Sequence, residues 1–143
     1  RKLERSDIEH LIPSFIQAFN LGEWQQSWTE DSARRCLEEL FSYPNFYGLL
    51  AHQDGAYLGA ILGHLHSFND SRTYYIDELF VAPEFQRQGV AKALYNKTIE
   101  DLKKEGVAGS FFTTMRDSAA YEFYTEQGAI DLKDSAVFFH PYN

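Results

Sequence analysis

Cysteine is nearly missing from this chain. Cys36 is the only one among 143 residues, which excludes an internal disulfide. It falls in a helical stretch and reads as a buried or half-buried thiol rather than a nucleophile. Basic residues are also scarce: 13 Lys and Arg face 21 Asp and Glu, for a formal net charge of −8. Nonspecific nucleic-acid binding neutralises phosphates with Lys and Arg, so this balance argues against it. The same acidity suits a cationic substrate. No run approaches the roughly 18 apolar residues of a membrane span, and no basic-then-apolar leader opens at Arg1. Internal repeats, low-complexity segments and interdomain linkers are absent. No metal-ligand set stands out: His64 and His66 alternate on one strand face without further ligands and read as half-exposed imidazoles. Ser27 and Ser118 have no identifiable partner base. These absences predict a cytoplasmic protein that binds neither membrane, nucleic acid nor metal.

What is present is apolar and ring-rich. Hydrophobic residues make up 44% of the chain, with twelve Phe and nine Tyr, enough for a single domain over residues 1–143 with one core. Arg1 to Glu4 reads as the remnant of a first strand. Asp7 to Phe19 reads as a helix capped by Ser6, with Pro13 delaying or kinking it. A connector from Leu21 to Thr29 leads to a helix over Glu30 to Phe41. Strands are expected at Phe46–His52 and Ala56–His66, joined by the hairpin signal Asp54-Gly55. A strand over Thr73–Val81 follows the Asn69-Asp70-Ser71 turn. A long helix from Gly89 to Glu105 carries the stripe Val90, Leu94, Thr98 and Leu102, with Gly106 at its C′ position. Then come a short strand at Ser110–Met115, a helix capped by Asp117 or Ser118 and ending at Gly128, and a last strand at Ala136–His140.

Two stretches carry chemistry. The strand ending at Val81 runs through Ala82-Pro83 into Phe85-Gln86-Arg87-Gln88-Gly89-Val90-Ala91-Lys92. A glycine lets backbone approach a ligand closely, and a helix start offers unpaired N–H groups and a positive dipole end. Together they suit a pyrophosphate. The second stretch is Tyr74-Tyr75-Ile76-Asp77-Glu78-Leu79-Phe80-Val81. Alternation places Tyr75, Asp77, Leu79 and Val81 on one face and Tyr74, Ile76, Glu78 and Phe80 on the other. Adjacent carboxylates within a sheet are costly unless paired or useful. They are candidates for holding or deprotonating an amine; the other reading is a cross-strand salt bridge or an exposed edge.

The spacing Q/R-x-x-G-x-G/A after a strand ending V-x-P resembles the acetyl-CoA loop of the GNAT superfamily of N-acetyltransferases. Gln86, Gly89 and Ala91 occupy its motif positions. A second motif of that superfamily, N-x-x-A-x-x-F-Y-x-x-x-G-F/A, is similar to Asp117 through Ala129: Ala120, Phe123, Tyr124 and Gly128 match, and Asp117 replaces the usual Asn. The resemblance is strongest from Thr73 to Ala129. It implies an α+β fold with a mixed, mostly antiparallel central sheet flanked by about four helices. It also implies acetyl-CoA as cosubstrate. Backbone from Arg87 to Ala91 would face the pyrophosphate, with Arg87 and Lys92 adding charge. Asp117, Ala120 and backbone near Leu79, Phe80 and Val81 would meet the pantetheine, where the strand splays after Leu79. The pattern around Asp77 resembles some aminoglycoside 6′-N-acetyltransferases, in which an Asp meets the cationic substrate. Trp24 and Trp28 lie in a connector that often borders the family's acceptor pocket; a lid on the core is the other reading. A homodimer through the last strand would follow family habit.

The implied reaction is direct transfer to a primary amine of a small cationic molecule. A free amine near pKa 10.4 is overwhelmingly protonated at neutral pH, about one molecule in a thousand being reactive. Asp77, or Glu78 through a water, would draw off that proton. Tyr124 would face the departing thiolate. A tyrosine (about 10) is a weaker acid than a thiol (about 8.5), so full transfer is uphill by about 2 kcal/mol and a hydrogen bond serves as well. The alternatives are a protein N-terminal or lysine acetyltransferase and a noncatalytic acyl-CoA-binding module.

Overall fold

A computed structural model describes residues 1–143, which form two compact units, Arg1–Phe112 and Thr113–Asn143. In the first unit a 3-10 turn at Arg5–Asp7 leads into α1 (Ile8–Asn20), followed by α2 (Glu30–Phe41). The strands β1 (Phe46–Gln53), β2 (Ala56–Phe68) and β3 (Ser71–Val81) come next, then a 3-10 turn at Pro83–Phe85, α3 (Val90–Lys104) and β4 (Gly109–Phe111). The second unit contains α4 (Ala119–Glu126). The sheet order is β1-β2-β3-β4, antiparallel except for the parallel pairing of β3 with β4. The mixed, mostly antiparallel α+β architecture with four helices is therefore as the sequence implies. No helix is long and apolar enough to cross a membrane.

Local chemistry explains the turns. Asp54 and Gly55 both take positive φ, 51° and 79°, as a two-residue hairpin between twisted strands requires. The start of α1 differs from expectation. Ser6 lies inside the 3-10 turn, and the buried Asp7 precedes the helix. The Asp7 carboxylate is taken by the Arg1 guanidinium at 2.9 Å through both oxygens and by the Glu4 amide at 2.8 Å. The Arg1 hydrogen bond, above all, holds its carboxyl below the usual range. Helix α1 does not start late: it begins at Ile8 and runs through Pro13, which sits on its exposed side. The first residues add a single antiparallel rung to β1, Lys2 opposite Leu49.

Register divides the core between two faces of the sheet. Leu50 pairs with Ala60 and Ala60 with Phe80; these pack with Leu11, Phe15 and Phe19 of α1 and Leu37 of α2. The other face carries Tyr47, whose hydroxyl donates to Asp101 of α3 at 2.9 Å, and Tyr74, whose hydroxyl donates to the Tyr47 carbonyl at 2.7 Å. Helix α3 buries Leu94, Tyr95, Thr98 and Leu102; Tyr95 rather than Val90 completes its stripe.

Two expected strands fall short. β4 covers only Gly109–Phe111, because its partner residues on β3 end at Tyr75, just before β3 is distorted. Residues 136–140 form no strand. A strand needs a ladder partner, and Val137, Phe138 and Phe139 instead stand largely exposed.

Candidate active site

The distortion in β3 organises the site. Leu62 pairs with Glu78 and Gly63 with Ile76, so Asp77 is an extra residue opposite no partner. A bulge of this kind reverses the alternation beyond it. Glu78 and Phe80 therefore share the α1/α2 face with Leu62 and Ala60, while Tyr74 and Ile76 stay on the α3 face. This corrects the simple alternation, which grouped Tyr74, Ile76, Glu78 and Phe80. Gly63 makes the bulge possible. A Cβ there would lie 2.2 Å from the Tyr75 carbonyl oxygen and 2.6 Å from the Tyr74 ring.

Asp77 and Glu78 thus crowd onto one face, where burial penalises their charge. The Asp77 carboxyl is pushed up by burial, opposed by the hydrogen bond from His64. Burial pushes the Glu78 carboxyl up to about 7, and the neighbouring Asp77 charge adds to the shift. Cys36 on α2 overlooks the pair: burial first, then the charges of Glu78, Glu39 and Asp77, push its thiol up to about 11. A protonated thiol is a poor nucleophile, in keeping with the structural role expected of it.

His64 is the residue that sequence reasoning missed. Its Nδ1 lies 2.8 Å from Asp77 Oδ2. The ring stands edge-on to Tyr43 at 5.2 Å and beside Tyr75 at 5.7 Å. The only sequence signal was its alternation with His66 opposite the carboxylate strand. A surface depression of about 400 Å³, lined by Arg35, Glu38, Glu39, Ser42 and Tyr43, shares only Tyr43 with this cluster. Trp24 and Trp28 lean on the core, their rings 6.1 Å from Phe19 and 4.9 Å from Phe15.

The edge of β3 is open beyond Tyr75, since pairing with β4 stops there rather than after Leu79. The Ala82 amide bonds the Leu58 carbonyl at 2.8 Å. Hydrogen-bonded and non-bonded pairs alternate in an antiparallel ladder, so Phe80 also turns its N–H and C=O toward β2. Leu79 and Val81 turn theirs to the open edge. Of the three residues expected to offer backbone there, Phe80 is thereby withdrawn, and its ring is buried against Phe15 at 5.3 Å. The Gln86 side-chain amide donates to the outward Val81 carbonyl at 3.0 Å, tying the glycine loop to the strand end.

That loop has left-handed backbone at Arg87 (φ 62°) and at Gly89 (φ 83°), the residue before α3. Alternating handedness of this sort turns successive N–H groups toward one concavity. The Ala93 amide makes the first turn-closing bond, to Gly89 at 3.0 Å. The amides of Val90, Ala91 and Lys92 therefore precede the helix ladder. Beyond its chain neighbours, no protein atom lies within 4 Å of where a Gly89 Cβ would stand. Amides, open space and the helix dipole fit a polyphosphate. Gln88 points back, donating to the Glu84 carbonyl at 3.2 Å.

In the second unit Ser118, not Asp117, caps α4: its hydroxyl accepts from the Tyr121 amide at 3.0 Å. Asp117 precedes it with φ 60°. Tyr121 donates to Asp131 at 2.8 Å, and Arg116 bonds the same carboxylate oxygen. Ala120 and Tyr124 lie on α4, half-buried, the Tyr124 ring edge-on to Phe123 at 5.2 Å. Gly128 takes φ 102° just past the helix, as a C′ residue does.

Comparison with known structures shows the same fold. An aminoglycoside acetyltransferase from an uncultured soil metagenomic sample, in complex with sisomicin, is 21% identical, with 100% of this chain and 95% of that chain covered and a TM-score of 0.78. An aminoglycoside N-acetyltransferase in complex with CoA is 17% identical, covering 100% and 93%, with a TM-score of 0.77. A ribosomal-protein-alanine N-acetyltransferase from Brucella melitensis biovar Abortus 2308 is 17% identical, covering 98% of each chain, with a TM-score of 0.77. The family model for the acetyltransferase (GNAT) family matches residues 13–129. With both motifs inside the matched segment and the open strand beside the glycine loop, the chain belongs to the acetyltransferase (GNAT) family and is an acetyltransferase.

Proposed function

We propose that the protein transfers the acetyl group of acetyl-CoA directly to a primary amine of a small cationic molecule. The observation that carries this reading is the bulge, which sets two carboxylates side by side at the margin of an open strand edge. The CoA and sisomicin complexes of similarly folded proteins support the donor and the acceptor class.

The amides of Gly89, Val90 and Ala91 hold the pyrophosphate, and those of Leu79 and Val81 hold the pantetheine arm along β3. Arg87 and Lys92 supply the local positive charge that an overall acidic chain lacks. Asp77 receives the acceptor's ammonium. Glu78, poised near neutrality, takes the proton that the amine must lose before it attacks the thioester. Holding both substrates in one site recovers the entropy of bringing them together. Tyr124, by its place in the second motif, serves the departing thiolate, and Asp117 and Ala120 contribute to the pantetheine site.

A thiol-release screen with acetyl-CoA tests the reading. Sisomicin, spermidine and lysine methyl ester represent small cationic acceptors, and a peptide with an N-terminal alanine represents protein acceptors. Turnover confined to the peptide would replace the acceptor class; turnover with none would leave a binding module.

Two variants probe the donor side. Gly89→Ala places a methyl group into the open space before the loop and strains a left-handed backbone by roughly 1 kcal/mol. We expect the KM for acetyl-CoA to rise about tenfold or more, with the amine KM unchanged; equal effects on both would argue against the loop as the donor site. Tyr124→Phe is expected to lower kcat about tenfold to a hundredfold while leaving the KM for acetyl-CoA near wild type. Undiminished turnover would defeat that role.

A further inference from the structure

We propose that His64 is a positioning residue of the acceptor site, holding one oxygen of Asp77 so that the other faces the incoming ammonium. The inference rests on the reading of Asp77 as the acceptor carboxylate.

Three observations carry it. The bulge leaves Asp77 without a partner across the ladder, and the side chain of His64, which itself pairs with Tyr75, reaches its carboxylate, with Nδ1 2.8 Å from Oδ2. The two side chains are 27% and 15% exposed, so water competes weakly for this bond. The imidazole itself has little freedom to turn. Tyr43 stands edge-on to it, while Tyr75 and His66 flank it with centroids 5.7 Å and 5.9 Å away. An aspartate with both oxygens unheld turns about its terminal torsion, which is broad. With Oδ2 fixed by Nδ1–H, Oδ1 keeps one direction, and the ammonium meets an acceptor already aimed. His64 does not touch the reacting atoms in this arrangement; it acts through Asp77.

The experiment uses the full chain, with sisomicin and spermidine as acceptors in the thiol-release assay. His64→Ala is expected to raise the amine KM about tenfold, the scale of one charge-assisted hydrogen bond, with the KM for acetyl-CoA unchanged. His64→Asn, whose amide also donates near the Nδ1 position, is expected to recover most of the loss. In an Asp77→Asn background, His64→Ala is expected to add little. An unchanged amine KM, or the same fold-loss in both backgrounds, would overturn the proposal while leaving Asp77 as the acceptor group. Wild-type kinetics in Asp77→Asn would remove the reading beneath it as well. A measurement without acceptor keeps the geometry testable: imidazole nitrogen-15 shifts of His64 should place the proton on Nδ1 and relax toward Nε2 in Asp77→Ala. A wild-type ring whose Nδ1 carries no proton would overturn the proposal by itself.

Discussion

Glu78→Gln is expected to lower kcat/KM by about a hundredfold or more, the scale of a lost general base, and at the same time to raise the melting temperature at alkaline pH. The two effects share one cause. Burial, with the Asp77 charge adding to it, lifts the Glu78 carboxyl from its ordinary 4.5 to about 7. The proposed base is the carboxylate, so activity in the wild type should rise with pH through about 7. Glutamine has the same shape and no proton to take, so that rise should vanish along with most of the rate. The stability effect follows from linkage. A raised carboxyl stays protonated in the folded chain where the unfolded chain has already released its proton. Stability is therefore full below about 4.5 and falls as pH rises through about 7, by roughly 3 kcal/mol in all. Glutamine removes this fall. At pH 4 the two chains should melt close together; at pH 8 the variant should melt higher. A structural ion pair would behave oppositely, since removing it would destabilise the chain at pH 8. Comparing the two melts at both pH values, beside the rates, separates a base held under strain from a carboxylate kept for the fold.

The features that were legible in the sequence are those fixed by a few adjacent residues. Asp54-Gly55, Gly89 and Gly128 sit at left-handed positions, and glycine or a small polar residue is what such positions favour. The glycine loop and the α4 motif are local in the same sense, each confined to one turn and one helix. What could not be read depends on which residues meet across the sheet. Asp77 lies thirteen positions from its partner His64, and nothing within the strand Tyr74–Val81 signals that a residue is extra. The bulge belongs to the pairing of β3 with Gly63 and exists only once both strands are present. Strict alternation therefore put Glu78 on the wrong face. The same dependence shortened β4, whose length is set by where β3 bends rather than by its own apolar run. It also left residues 136–140 without a ladder: alternation is needed for a strand but does not supply a partner.

The largest stability effect should come from a single methyl group at Gly63. Added there, a Cβ would stand 2.2 Å from the Tyr75 carbonyl oxygen and 2.6 Å and 2.7 Å from the Tyr74 ring carbon and hydroxyl. The Tyr75 oxygen belongs to backbone and cannot swing aside. Tyr74 is fully buried, its hydroxyl committed to the Tyr47 carbonyl. Either the strands part at the bulge or the ring leaves its slot. Gly63→Ala should therefore cost about 3 kcal/mol, the upper range for overpacking, or roughly 10 °C in melting temperature for a chain of this size. Gly109→Ala supplies the contrast, since no atom beyond its chain neighbours lies within 4 Å of its Cβ position; an uncrowded change of this kind stays within about 0.5 kcal/mol. The activity of whatever Gly63→Ala remains folded carries the functional half of the argument. If the strands relieve the clash by separating, Asp77 and Glu78 lose their shared face, and turnover should fall by far more than the unfolded fraction explains. A folded Gly63→Ala chain with wild-type kcat/KM would mean that the site does not depend on the bulge. The two carboxylates would then owe their role to something other than the distortion that brings them together.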